Sequence, residues 1–93
     1  MIKGTTETGF KFEIDEKTMD NMELVDAIAE LEDNDNDPMN FSRLVKRLLG
    51  NDGRRRLYDH VREEDGRVPM NKIGDEIADI LMKMSEDEEG KNS

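Results

Sequence analysis

Apolar and polar residues alternate near the start of the chain and then change period. Phe10, Phe12 and Ile14 fall on one side of an extended segment, with Lys11, Glu13 and Asp15 on the other, the two-residue repeat of a strand with one buried face. Glu7-Thr8-Gly9 before it reads as a tight turn, which makes Ile2–Thr6 the partner strand of a hairpin. A two-stranded hairpin is marginal alone, so its Phe face should rest on helices.

From there the period becomes helical. Leu24, Val25, Ile28 and Leu31 form the stripe of an amphipathic helix over about Asn21 to Glu32. Thr18 and Asp20 offer oxygens to cap its first turn. The run Asp33-Asn34-Asp35-Asn36-Asp37-Pro38 ends it, because Asx residues favour turns and Pro disfavours helix at the residue before it. A second helix carries Phe41, Leu44, Val45, Leu48 and Leu49 on one face, has Arg43, Lys46 and Arg47 opposite, and stops at Gly50. A third, shorter helix carries Leu57, Tyr58 and Val61 and is broken by Asp65-Gly66-Arg67-Val68-Pro69. The fourth starts near Pro69–Asn71, with a stripe of Ile73, Ile77, Ile80, Leu81 and Met84.

The expected fold is mainly α: an N-terminal β-hairpin or single strand, then about four short amphipathic helices. Residues 1–84 form one small domain. Residues 85–93, acidic and nearly free of apolar side chains, are expected as a disordered tail.

Composition narrows the chemistry. Only Phe10, Phe12, Phe41 and Tyr58 are aromatic, so the core rests on Leu, Ile, Val and Met. The absence of cysteine removes disulfides, thiolate zinc sites and cysteine nucleophiles together. The opening MIKGTTETGF lacks a signal peptide's apolar core, and no apolar run approaches the ~20 residues of a membrane span. A soluble cytoplasmic protein without membrane contact is expected.

Two segments imitate calcium loops. Asp33, Asp35 and Asp37 take positions one, three and five, but Pro38 stands where Gly is needed and Leu44 where a bidentate Glu is needed. Glu63, Asp65, Gly66 and Val68 fit positions three, five, six and eight, with Val61 first and Lys72 last. Turn chemistry accounts for both, and no metal or other cofactor is expected. His60 is the single histidine, so a His-pair metal site is impossible. Asp59, Glu63 or Glu64 could neighbour it on a helix, but a solvated or packed His is the expectation. Gly50-Asn51-Asp52-Gly53 lacks the Lys-Ser/Thr of a phosphate loop. No enzymatic activity and no catalytic residue are expected.

Charge singles out one region. Arg43, Lys46, Arg47, Arg54, Arg55, Arg56 and Arg62 face only Asp52 and Asp59 between positions 43 and 62, a net +5 inside a chain of −10 that leaves −15 elsewhere. These seven bases are the candidate partner-binding residues, suited to an acidic partner or to another copy of the chain stacked head to tail. They could also pair internally or simply be solvated. Binding of nucleic acid through Arg54-Arg55-Arg56 is a weaker reading, because the net negative charge repels a polyanion and stacking aromatics are scarce.

GFKFEID, MDNMELVDAIAELED, LVKRLLG and RRRLYDHVREEDGRVP, followed by an Ile-rich final helix, together resemble the small tail assembly chaperone-like proteins of tailed phages and prophages of Gram-positive bacteria. The likeness covers nearly the whole chain and is most specific over Leu44–Pro69; the terminal Gly90-Lys91-Asn92-Ser93 fits it as well. It implies a non-enzymatic role in long-tail morphogenesis. Such a chaperone binds the tape measure protein, keeps its long helices soluble, and leaves as tail-tube protein polymerises, so it is absent from the mature virion. Self-association into a homo-oligomer is part of the same expectation. Seven methionines, with Met19, Met22, Met39, Met70, Met82 and Met84 flanking the helices, suit reversible cover of apolar helices, although core filling is the commoner use of such residues. The alternative reading is a small acidic regulatory module that binds another protein, such as an anti-repressor or a mimic of DNA charge.

Overall fold

The computed structural model describes residues 1–33 and 37–92. Asn34, Asp35, Asn36 and Ser93 lie outside the described residues, and with them the Asp35 of the first calcium-like loop. The chain is mainly helical behind an N-terminal antiparallel hairpin of β1 (Ile2–Thr5) and β2 (Lys11–Ile14). Ile2 pairs with Ile14 and Gly4 with Phe12, so the apolar side chains of both strands share one face. Gly9, at φ 93°, and the Thr6 N–H bond to the Phe10 carbonyl close the turn.

Gly4 explains how so small a hairpin carries a Phe. A β-carbon there would lie 2.5 Å from Cζ of Phe12, a residue only 1% exposed, so the ring would have to shift within the core. Gly4→Ala is therefore expected to cost about 2 kcal/mol and lower Tm by about 10 °C in a calorimetric melt. An unchanged melt would show that the ring repacks freely.

A single turn, α1 (Glu16–Met19), follows the hairpin; Asp15 caps it by accepting from the Lys17 N–H at 2.9 Å. This turn corrects the expected capping of the next helix. Thr18 lies inside α1 and Asp20 ends it, its N–H reaching back to the carbonyls of Glu16 and Lys17. The cap of α2 (Met22–Asp33) is Asn21, whose side chain accepts from the Glu23 N–H at 3.0 Å.

The buried stripe of α2 also differs from expectation by one residue. Leu24 and Ala27 are buried and Ile28 and Leu31 half-buried, whereas Val25 is 47% exposed. Packing runs along the i, i+3, i+4, i+7 line, where the small Ala27 permits close approach to α3, and Val25 falls on the opposite side.

The expected second and third helices join as α3 (Pro38–Val61), bent at Gly50, where φ 72° and ψ −179° are not helical. Asp37 caps the first arm through the Met39 N–H at 2.9 Å, and Pro38 takes the first helical position, so the arm starts earlier than Phe41. α3 is the hub, touching α1, α2, β2 and α4. Its Leu44, Val45, Leu48, Leu57 and Val61 meet Ile2, Phe10, Phe12 and Ile14 of the hairpin and Ile73, Ile77, Ile80 and Met84 of α4 (Met70–Asn92) in one core. Met84 is the last buried residue among the described side chains. The helical backbone continues to Asn92, across the acidic stretch expected as a tail, where Glu and Lys favour helix locally.

Candidate interaction surfaces

The seven candidate bases meet different neighbours. Arg43 reaches Glu30 at 3.2 Å and Arg47 reaches Glu23 at 3.0 Å, so these two fasten the first arm of α3 to α2. Arg54 lies over the Tyr58 ring at 5.6 Å, with its Nε buried and unpaired. Arg56 crosses to the hairpin, with its guanidinium 5.5 Å from the centre of the Phe10 ring and a bond to the Lys11 carbonyl at 3.2 Å. Arg62 holds the turn after α3, donating to the Gly66 carbonyl at 2.8 Å and to Asp59 at 3.1 Å. Lys46 and Arg55 are exposed and make no ion pair among the described residues. Five of the seven bases thus touch α2, the hairpin, the following turn or a neighbouring ring.

The second calcium-like segment is a turn held by its own side chains. Glu63 and Arg67 pair through backbone, Gly66 takes φ 93°, and Lys72 binds Glu63 at 3.0 Å in the place of a cation. Among the described residues, no group of three or more His, Asp or Glu side chains is placed to hold a metal ion. Asp65 accepts from Arg67 Nε at 2.8 Å and from the Arg67 N–H at 3.0 Å, and these bonds hold its carboxyl below the ordinary value, the side-chain bond most. A depressed carboxyl stabilises the fold above its unfolded pKa and loses that contribution as pH falls through the folded value. Carboxyl NMR titration is expected to place Asp65 below an ordinary aspartate, and Arg67→Ala to move it upward. An unmoved titration would mean that the bond is absent in solution.

A polar clasp at the hairpin tip is the feature that sequence reasoning missed. Glu76 of α4 is only 3% exposed, and its two carboxylate oxygens accept from the hydroxyls of Thr6 and Thr8, each at 2.9 Å. Both hydroxyl protons are thereby used, so His60 Nε2, 2.9 Å from Thr8 Oγ1, is the donor to that oxygen. The Phe10 N–H donates to Thr6 Oγ1 at 3.1 Å, and the Glu7 N–H to Asp79 at 2.7 Å. Lys83 bridges Glu7 and Asp79 at 3.2 and 3.4 Å, and its bond to Glu7 raises its pKa above the ordinary value. The hydroxyl of Thr8 stands between imidazole and carboxylate, whereas a nucleophile relay needs the imidazole in the middle. The arrangement ties the turn to α3 and α4. Its trace in the sequence is an acidic residue at position 76, inside the spacing of Ile73, Ile77 and Ile80.

Two of the openings on the surface border the clasp and the bend of the chain after α3. One, about 290 Å³, sits beside the clasp between Thr8, His60, Lys72 and Asp75. The other, about 190 Å³, is apolar and lies among Pro38, Phe41, Tyr58, Val68, Met70 and Ile73. The exposed large apolar residues among those described are Met1, Met22, Met39, Met70 and Met82, together with Val25. No helix among the described residues is long and apolar enough to cross a membrane. Comparison of the chain with protein-family models, curated proteins and solved structures gave no match.

Proposed function

We propose that this chain is a non-enzymatic protein-binding module, specifically a phage tail assembly chaperone. It acts in the cytoplasm of the bacterial host, binds the tape measure protein, associates with copies of itself, and is left out of the mature virion. The observation that carries this reading is the chemistry of the exposed apolar surface: five of its six large residues are methionines spread over α2, α3, α4 and the N-terminus. Core filling accounts for Met84, which is buried, and in part for Met19, but not for Met22, Met39, Met70 or Met82. Flexible, polarisable thioethers on a folded scaffold suit reversible cover of varied apolar helices. The resemblance of the GFKFEID, LVKRLLG and RRRLYDHVREEDGRVP segments supports the same role.

Nucleic-acid binding has less support, since Arg43, Arg47 and Arg62 already face carboxylates. Fewer bases then remain to neutralise phosphates.

Co-expression with a phage tape measure protein tests the proposal. The expected result is a rise in that protein's soluble yield, with the two co-purifying. No rise and no co-purification would overturn it. Light scattering over a range of protein and salt concentrations tests self-association, and a monomeric mass throughout would remove that part.

A further inference from the structure

α2 is packed through one face only. Leu24, Ala27, Ile28 and Leu31 lie against the core. Met22, Val25 and Ala29 follow i, i+3, i+7 spacing on the opposite side, and all three are exposed, Met22 at 69%. Two turns of helix, about 10 Å, therefore carry an apolar ridge directed at solvent. On an ordinary surface helix those positions would be polar.

The charges that α2 itself carries are of one sign. α2 reads MELVDAIAELED, with five carboxylates and no base. Glu23 and Glu30 are taken by Arg47 and Arg43 from α3. Asp26, Glu32 and Asp33 are exposed and make no ion pair among the described residues. By helical spacing Glu32 flanks the ridge on one side and Asp26 and Asp33 on the other. An apolar seam edged by unneutralised carboxylates matches a helix with apolar seam residues and Lys or Arg beside them, by the same logic that sets partner choice in coiled coils.

We propose that the outward face of α2, the Met22–Val25–Ala29 ridge between its carboxylates, is a docking surface for a basic amphipathic helix of a partner protein. The idea rests on the proposed function for the kind of partner and goes further in naming the face and the partner's charge. Arg43 and Arg47 then have a defined part: they hold α2 in place and neutralise its inner carboxylates, leaving only the outer ones to the partner. Two turns of helix cover far less than the ~1,600 Å² of a standard interface, so a single contact is weak and several along a long helix would add through avidity.

The probe is a synthetic peptide of about 21 residues, three heptads, with Leu at the seam and Lys at the flanking positions. A scrambled peptide of identical composition is the control. In solution NMR at low salt, amide shifts are expected to concentrate on Met22–Asp33. The scrambled peptide and the Met22→Gln/Val25→Gln variant should each bind about tenfold more weakly, while the variant's melting curve stays unchanged because both side chains are exposed. Equal binding of the scrambled peptide, undiminished binding by the variant, shifts centred on the Phe41–Tyr58–Met70 opening, or an α2 face already covered by a second copy would each overturn the proposal. Co-expression separates it from the chaperone reading. A double variant that still solubilises the tape measure protein rejects the face and leaves the chaperone. Peptide binding at α2 without any solubilisation keeps the face and rejects the chaperone.

Discussion

Leu48→Asp is expected to abolish cooperative unfolding. Leu48 is 2% exposed, in the first arm of α3 among Leu44 and Val45, on the element that touches the hairpin and the other helices. The substitution removes a buried aliphatic chain and places a carboxylate among the apolar side chains of the core. The combined cost is on the order of 5 kcal/mol, comparable with the whole stability of a domain this small. Far-UV circular dichroism should show a flat, reduced signal on heating, with no transition in urea. Lys46→Asp on the exposed side of the same arm is the control, expected within about 0.5 kcal/mol of the parent. A cooperative melt for Leu48→Asp would mean that α3 is not the centre of the fold.

Gly50→Val is the second large effect, and its origin lies entirely in the backbone. The combination φ 72°, ψ −179° is a region that essentially only glycine occupies, and no atom lies within 4 Å of where a β-carbon would sit. A β-branched residue is expected to cost about 3 kcal/mol there, with alanine toward the lower end of 1–3 kcal/mol. Urea denaturation measures both. Chemical synthesis offers a sharper check, since D-alanine at position 50 meets its preferred mirror-image geometry and should be at least as stable as glycine. Equal losses for D- and L-alanine would place the cost in packing and overturn the backbone explanation.

Much of the fold was legible because helices and strands repeat over distances shorter than themselves. The two-residue period of Phe10, Phe12 and Ile14, the stripe from Phe41 to Leu49, and the stripe from Ile73 to Met84 are local facts of the chain. Each requires one face to be buried whatever covers it. Gly50 and Gly66 were readable too, as breaks in those periods. The cap of α2 was misread because Thr18, Asp20 and Asn21 are all competent caps, and the choice among them depended on the extra turn that Asp15 begins.

The candidate site was less legible. Seven bases within twenty residues look like one surface, yet α3 turns at Gly50 and sends its side chains toward different neighbours. Arg43 and Arg47 meet α2, Arg56 meets the hairpin, and Arg62 meets its own turn. Val25 belongs to an apolar pair in the sequence, and only the angle at which α2 lies on α3 turns it outward.

The sequence by itself determined the hairpin, the main helices, their order and the glycine breaks, because those follow from periodicity and from backbone sterics within a few residues. Tertiary structure decided which carboxylate each arginine meets, that Glu76 is buried under Thr6 and Thr8 from about seventy positions away, and that Met22, Val25 and Ala29 face solvent. Those outcomes depend on the angle of the Gly50 bend and on the seating of α2 and the hairpin against α3. Such geometry is set by contacts between distant parts of the chain, and no local pattern encodes it.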